Sequence, residues 1–159
     1  MPVAYIGLGS NLNNPCLQLK TALISLKKIS KTSLMTVSPF YSNPPLSDAT
    51  QPTYVNAVAK LQTLLSPIAL LAALQEIERA QGRVRYQRWQ SRTLDLDLLL
   101  FENEVMQTEE ITLPHPGIQS RSFVIYPLLH LDENLILPDG TALKSLTKTI
   151  KNNLHQLSD

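Results

Sequence analysis

The sequence has little cysteine, little glycine and no long hydrophobic run, and each shortage excludes a class of protein. One Cys and 5 Gly among 159 residues leave no internal disulfide framework and no glycine-rich fibrous chain. No run of about 18 apolar residues predicts a membrane span. The first residues also lack the charged and apolar regions of a secretory signal. We therefore expect one cytoplasmic domain over residues 1–159, with no membrane partner.

Net charge is nearly absent too, because 14 Lys and Arg balance 13 Asp and Glu to leave +1. That balance argues against binding nucleic acid through bulk positive charge. Residues 79–92 depart from it, since this segment contains neither lysine nor acid but holds five of the six arginines: Arg79, Arg83, Arg85, Arg88 and Arg92. The planar guanidinium group matches phosphate oxygens. The segment predicts an anion-binding loop, with an ordinary solvated charged surface as the alternative.

The spacing of apolar residues predicts an α+β domain. Strands are expected over residues 3–9, 36–41, 54–65 and 94–101, and residues 7–11 are interpreted as a turn rather than a phosphate-binding loop. One helix begins at Asn14 and Pro15, and another runs from Ser66 to Gly82. Shorter helices over residues 121–131 and 143–154 are C-terminal additions. The β-α-β-β-α-β order predicts a ferredoxin-like antiparallel sheet with its helices on one face.

Asp95 and Asp97 alternate with leucines in the predicted strand 94–101, so they share one face of it. The other face is predicted to carry Leu94, Leu96, Leu98 and Leu100. Two such close carboxylates favour a shared cation, and their hard oxygen ligands suit Mg²⁺. The pair alone is more typical of a helix cap or a partner of Arg92. Combined with the arginine segment and Trp89, it indicates phosphoryl transfer.

Two further groups of residues suggest ligand contacts. A slot that binds a flat heterocycle is built from aromatic rings, amide side chains and a stiff loop. Such residues are Tyr41, Asn43, Pro44, Pro45, Leu46, Tyr54 and Asn56. His115 lies between Pro114 and Pro116, where it can donate to a phosphate oxygen or flank an adenine. No His or Cys spacing predicts a zinc site.

With these residues the sequence resembles the 6-hydroxymethyl-7,8-dihydropterin pyrophosphokinase family over nearly its whole length. The matching segments are residues 5–12 (YIGLGSNL), 51–57 (QPTYVNA), 78–83, 88–89 (RW), 92–97 (RTLDLD) and 114–116 (PHP). The resemblance implies a ferredoxin-like transferase of folate biosynthesis. Such an enzyme transfers pyrophosphate from ATP to 6-hydroxymethyl-7,8-dihydropterin by in-line attack of the pterin hydroxyl on the β-phosphorus, and releases AMP.

The resemblance also implies roles for individual residues. Asp95 and Asp97 are expected to hold two Mg²⁺ ions, and the catalytic set is Arg83, Arg92, Asp95 and Asp97. ATP contacts are expected from Gln75, Glu78, Arg85, Arg88, Arg92, Leu98, Thr112, His115 and Arg121. Pterin contacts are expected from Asn43, Pro44, Leu46, Tyr54, Asn56, Trp89, Asp95 and Phe123.

Other functions remain open from the sequence. A ferredoxin-like RNA-binding module needs paired aromatics and a more basic surface, and a metal-dependent phosphohydrolase needs only water and Mg²⁺. The hydroxyl proton is lost either to Asp97 or through assistance by the metal. A monomer is expected, because the sequence has no sustained heptad seam.

Overall fold

The structure is a computed structural model and describes residues 1–12, 14–43, 53–82 and 94–157. It is a mixed α+β fold. The strands are β1 (Val3–Ser10), β2 (Thr32–Val37), β3 (Tyr41–Asn43), β4 (Tyr54–Thr63), β5 (Asp95–Phe101), β6 (Met106–Gln107), β7 (Thr112–Leu113) and β8 (His155–Gln156). The helices are α1 (Pro15–Lys27), α2 (Pro67–Ala80) and α3 (Ser122–Leu131), with a 3₁₀ helix over Leu143–Lys148.

An antiparallel sheet runs in the order β5-β1-β4-β3-β8, with β2 also paired to β4. Strand β1 is therefore flanked by β4 and β5, and β4 is flanked by β1 on one side and by β2 and β3 on the other. The short strands β6 and β7 form a separate hairpin. Among the strands of the main sheet, β5 lies at one edge and β8 at the other.

Buried aliphatic side chains cover both faces of the sheet. Helices α1 and α2 pack on one face, where Leu26 and Leu74 join Ile6 of β1 in a single cluster. Helix α3 and the 3₁₀ helix pack on the other face, where Ile125 contacts the cluster that includes Val58 of β4. Each such buried side chain contributes roughly 1.5–3 kcal/mol to folding. The prediction that the helices lie on one face of the sheet is correct for α1 and α2, whereas α3, one of the C-terminal additions, lies on the opposite face.

Local signals set the ends of the first two helices as predicted. The Asn14 side chain accepts a hydrogen bond from the Leu17 N–H at 3.4 Å, and the Ser66 side chain accepts one from the Ala69 N–H at 3.1 Å. These bonds satisfy N–H groups that the helix itself leaves without a partner. After α2, Gly82 has a φ of 92°, a conformation that ends the helix. None of the helices in the described ranges is long and apolar enough to cross a membrane.

The predicted strand over residues 36–41 is wrong, because β2 and β3 are separate strands. Between them, the Ser38 N–H donates to the Val58 carbonyl at 2.8 Å, and the Ser38 hydroxyl accepts from the Val58 N–H at 2.9 Å. Pro39 follows and has no N–H to continue the ladder. The side chain of Ser38 thus replaces a backbone acceptor, and the chain bends before β3 begins.

The predicted helix over residues 143–154 is wrong beyond its first turns, because the 3₁₀ helix ends at Lys148. The Ile150 carbonyl accepts a hydrogen bond from the Tyr126 hydroxyl at 2.6 Å. The Asn152 side chain accepts one from the Leu154 N–H at 3.0 Å. Asparagine side chains compete with helical hydrogen bonds in this way. The chain instead continues to β8 at the edge of the sheet.

Candidate active site

Asp95 and Asp97 lie at the beginning of β5, on the face of the sheet that α3 partly covers. Asp95 is opposite Gly9 and Asp97 is opposite Gly7 on β1. Directly opposed residues of antiparallel strands project to the same face. The two aspartates are two positions apart, about 7 Å along the strand, and both are half-buried. The structure therefore brings the two carboxylates together on one face, as the alternation predicts.

The leucines of β5 do not all alternate, because the strand contains a bulge. Ile6 pairs with Leu98, whereas the adjacent Tyr5 pairs with Leu100, so Leu99 is an extra residue on β5. Leu98 packs in the cluster under α1 and α2, and both Leu99 and Leu100 pack in the cluster under α3. The predicted placement of Leu100 on the same face as Leu98 is wrong for this reason.

The face of the acid pair continues across the neighbouring strands to three predicted pterin contacts. Asn56 on β4 is opposite Gly9, and Asn43 on β3 is opposite Tyr54. Neighbouring strands are about 4.8 Å apart, so Asn56 and Asp95 are separated by roughly 10 Å with only Gly9 between them. The register thus sets an amide and a carboxylate on either side of Gly9, which has no side chain to separate them.

The Asn56 side chain is buried, with 8% of the residue exposed. Its Nδ2 donates to the Leu8 carbonyl at 3.5 Å, and its Oδ1 has no hydrogen-bond partner among the described residues. A buried amide oxygen is normally hydrogen-bonded. This oxygen is therefore suited to accept a hydrogen bond from a bound ligand.

Gly7 and Gly9 both lie within β1, so the interpretation of residues 7–11 as a turn is wrong. A Cβ at Gly9 would lie 2.7 Å from Nδ2 of Asn56, closer than real Cβ contacts come. A Cβ at Gly7 would meet nothing closer than Leu99 at 3.5 Å. Glycine inside a strand marks a close approach of another group. A glycine at position 9 within an apolar, β-branched segment is the sequence signal for this close approach.

His115 lies close to β5, and Arg121 links it to Phe123. The His115 N–H donates to the Leu99 carbonyl at 2.9 Å, which fixes the histidine beside β5. The Arg121 guanidinium carbon lies 5.7 Å from the centre of the Phe123 ring, within the range of a cation–π contact. The charges of Asp97 and Arg121 both act on the pKa of His115. The structure thus brings His115 near Asp97 and Arg121, and places Phe123 beside Arg121.

The hydrogen bonding of His115 defines its protonation. The Gly117 N–H donates to His115 Nδ1 at 3.0 Å, so Nδ1 carries no proton and Nε2 carries it. Burial lowers the pKa of His115 from its ordinary value of 6.5; the Asp97 carboxylate raises it, and the Arg121 guanidinium lowers it. The result is a neutral imidazole at pH 7 whose Nε2–H is available as a donor.

We expect imidazole NMR of the metal-free protein to show His115 as the Nε2–H tautomer with a pKa below 6.5. Because the unfolded chain binds this proton more readily, the group's contribution to stability is present above pH 6.5 and is lost as the pH falls toward the folded pKa. Arg121→Ala should raise the pKa, and Asp97→Asn should lower it further. A protonated Nδ1 at pH 7 would contradict this assignment.

The other nucleotide candidates lie near the outer edge of β5, the edge strand among the described strands of the sheet. Glu78 on α2 is buried, and its carboxylate accepts the Leu96 N–H at 2.8 Å, which holds the beginning of β5. Gln75, three residues earlier, is half-buried, and Thr112 on β7 is exposed. The Leu98 side chain is buried on the opposite face from the acid pair. Any contact between Leu98 and a nucleotide is therefore made by its backbone.

Several predicted site residues lie outside the described residues: Pro44, Leu46, Arg83, Arg85, Arg88, Trp89 and Arg92. Within the described ranges, no group of three or more His, Cys, Asp or Glu side chains can hold a metal ion. The two half-buried carboxylates of Asp95 and Asp97 still fit Mg²⁺. This ion usually takes one or two protein carboxylates and completes its six ligands with water and substrate phosphates.

Comparison with known proteins identifies the family to which this chain is similar. Residues 5–133 match the family 7,8-dihydro-6-hydroxymethylpterin-pyrophosphokinase (HPPK). The chain is 51% identical over 148 residues to the 2-amino-4-hydroxy-6-hydroxymethyldihydropteridine pyrophosphokinase of Haemophilus influenzae, covering 93% of this chain and 92% of that protein. It is 49% identical over 142 residues to the protein of the same name in Pseudomonas aeruginosa, covering 89% of this chain and 88% of the relative.

Solved structures share the fold at low sequence identity. Plasmodium falciparum HPPK-DHPS with pteroate superposes with a TM-score of 0.77 at 13% identity, covering 98% of this chain and 47% of that one. An HPPK-DHPS in complex with substrates gives a TM-score of 0.73 at 12% identity, covering 94% and 45%. This chain thus spans about half the length of those structures. From the family match and the close relatives together, the chain belongs to the 7,8-dihydro-6-hydroxymethylpterin-pyrophosphokinase family and is an enzyme of that kind.

Proposed function

We propose that this chain transfers the pyrophosphoryl group of ATP to 6-hydroxymethyl-7,8-dihydropterin, giving the pterin diphosphate and AMP in folate biosynthesis. The names of its close relatives support the pterin substrate. The observation that carries the proposal is the register of β4, β1 and β5. It sets the buried Asn56 amide and the Asp95 and Asp97 carboxylates on one face, separated by glycine.

The pterin is proposed to bind on the β4 side of this face. Asn56 Oδ1 is buried and accepts a ring N–H, while Tyr54 and Phe123 offer aromatic faces to the flat ring. Asn43, which pairs with Tyr54 across β3 and β4, adds a second amide. Pro44, Leu46 and Trp89 complete the predicted set of contacts. The pterin hydroxymethyl group then points toward Asp95.

ATP is proposed to bind on the β5 side. The neutral Nε2–H of His115 and the Arg121 guanidinium donate to phosphate oxygens, since both groups lie near Asp97. The remaining predicted contacts are Gln75, Glu78, Leu98 and Thr112 along the edge of β5, and Arg83, Arg85, Arg88 and Arg92 around the phosphates. This arrangement brings the triphosphate to the acid pair.

Asp95 and Asp97 are proposed to hold Mg²⁺, two ions in the predicted stoichiometry. When bound, Mg²⁺ neutralises phosphate charge and assists loss of the hydroxyl proton. The proposed pterin contacts and ATP contacts together hold the hydroxymethyl oxygen in line with the β-phosphorus. A bond forms between that oxygen and the β-phosphorus as the bond to the α,β-bridging oxygen breaks, and AMP leaves with the bridging oxygen. The hydroxyl proton leaves to Asp97 or to water.

We also propose that the fold is ferredoxin-like. The strand order β5-β1-β4 followed by β2 and β3 supports this topology if β2 and β3 count as one strand interrupted at Ser38 and Pro39. The free Cys16 suits a reducing compartment such as the cytoplasm. A monomeric state remains a prediction from the sequence, and size-exclusion chromatography with light scattering measures it.

The test is incubation of the protein with ATP, Mg²⁺ and 6-hydroxymethyl-7,8-dihydropterin, followed by chromatography of the nucleotides. We expect AMP and pterin diphosphate in equal amounts, and no AMP when the pterin is omitted. Release of ADP and phosphate without pterin would instead favour a phosphohydrolase. Absence of turnover together with tight RNA binding would favour an RNA-binding module.

A further inference from the structure

The C-terminal strap, defined here as residues 150–157, connects two parts of the molecule that lie far apart in sequence. One end is tied to α3. The Tyr126 hydroxyl donates to the Ile150 carbonyl at 2.6 Å, and the Ser122 hydroxyl donates to Asn153 Oδ1 at 2.7 Å. The family match ends at residue 133, so the strap lies beyond the matched segment.

The other end of the strap is tied to β3. Strand β8 pairs with β3 through Gln156 opposite Tyr41 and His155 opposite Ser42. Just after β8, the Leu157 N–H donates to the Phe40 carbonyl at 2.8 Å. Strand β3 is only three residues long, and a strand this short is poorly held by one neighbour alone. The strap therefore secures β3 between β4 and β8.

Each end of the strap is adjacent to a residue of the proposed pterin site. Ser122 precedes Phe123 in the first turn of α3, and among the residues that the structure describes no side chain caps that end of the helix by a hydrogen bond. Ser42 precedes Asn43, which pairs with Tyr54. The bond between Ser122 and Asn153 thus joins the first turn of α3, which carries Phe123 as one aromatic wall of the proposed pterin site, to the strap. The strap in turn supports β3, which pairs with Tyr54, the other wall.

We propose that Ser122 and Asn153 are positioning residues that set the spacing between the Phe123 and Tyr54 walls of the pterin site. This inference rests on the proposed function. It assigns the strap a role in pterin affinity that the acid pair and the nucleotide contacts do not share. If the bond between Ser122 and Asn153 served folding alone, its loss would lower stability without raising the KM for pterin more than the KM for ATP.

Asn153→Ala and Ser122→Ala each remove one partner of the 2.7 Å bond. Each is expected to raise the KM for pterin about fivefold, the loss typical of one hydrogen bond, with kcat and the KM for ATP within about twofold of wild type. The double variant should be no worse than either single variant, because both remove the same bond. Asn153→Asp keeps the acceptor and Ser122→Thr keeps the donor, so both should retain the wild-type KM.

The β8 end has its own matched pair. Leu157→Pro removes the N–H that bonds to Phe40 and should raise the KM for pterin, whereas Leu157→Ala keeps that N–H and should change it less. Thermal unfolding identifies variants that have lost stability.

An unchanged pterin KM in the alanine variants of Ser122 and Asn153, or an equal rise in the KM for ATP, overturns the inference alone. A wild-type chain that forms no AMP with pterin overturns the proposed function and the inference with it.

Discussion

Asp97→Ala is expected to lower kcat for pterin-dependent AMP formation by about a thousandfold. The substitution removes one of two hard oxygen ligands from the face where the triphosphate arrives. Electrostatic stabilisation of a transition state by such a group is worth several kcal/mol, and each 1.4 kcal/mol is a factor of about ten in rate. Asp97→Asn keeps the size of the side chain but not its charge, so a similar loss is expected. Steady-state assays at saturating Mg²⁺, ATP and pterin measure the effect.

Asp139→Ala is the matched control for the loss of a carboxylate. Asp139 lies in an exposed turn, where its side chain accepts hydrogen bonds from Thr141 and Gln119, outside the acid-pair face. We expect this variant to keep near wild-type kcat. Near-normal AMP formation by Asp97→Ala would show that Asp97 does not hold the metal, even if the pterin-dependent reaction itself were confirmed.

The parts of the fold that depend on neighbouring residues were predictable from the sequence. The Asn14 and Ser66 side chains each accept a hydrogen bond from an N–H three residues further along the chain. The starts of α1 and α2 can therefore be predicted from short segments of sequence. The alternation of Asp95 and Asp97 is likewise a property of one strand. These features were predicted correctly because nothing distant competes with them.

The errors occur where a distant residue decides the local structure. The bend at Ser38 depends on Val58, twenty positions away. The non-helical backbone at Ile150 depends on the Tyr126 hydroxyl, 24 positions away. The bulge that moves Leu100 to the other face arises in the pairing of β5 with β1. None of these partners is visible within a single periodic segment, so tertiary contacts override the pattern.

The same distinction applies to the candidate site. Residue types alone indicated carboxylates, amides and aromatic rings, but not which of them share a surface. The register of β1 against β4 and β5 supplies that information, because it sets Asn56 and Asp95 on either side of Gly9. Gly9 therefore belongs to the site although it has no side chain to contribute.

Gly9→Ala is expected to raise the KM for pterin at least tenfold while leaving the KM for ATP nearly unchanged. The added methyl carbon would lie 2.7 Å from Asn56 Nδ2, so the amide must turn. That movement breaks its bond to the Leu8 carbonyl and displaces the Oδ1 that is proposed to accept from the pterin. Overpacking of this kind also costs about 1–3 kcal/mol of stability. Steady-state kinetics for both substrates and thermal unfolding measure the two effects.

Gly7→Ala is the matched control, because it adds the same methyl group to the same face of β1. The nearest atoms to that methyl belong to Leu99 at 3.5 Å, an ordinary van der Waals distance, so the KM for pterin should stay near wild type. A second substitution separates affinity from stability. Adding Asn56→Ala to Gly9→Ala removes the clash and should raise the unfolding temperature above that of Gly9→Ala alone, but the KM for pterin should remain high because the amide is gone. Equal pterin KM values for Gly7→Ala and Gly9→Ala would show that Asn56 does not contact the pterin from this position.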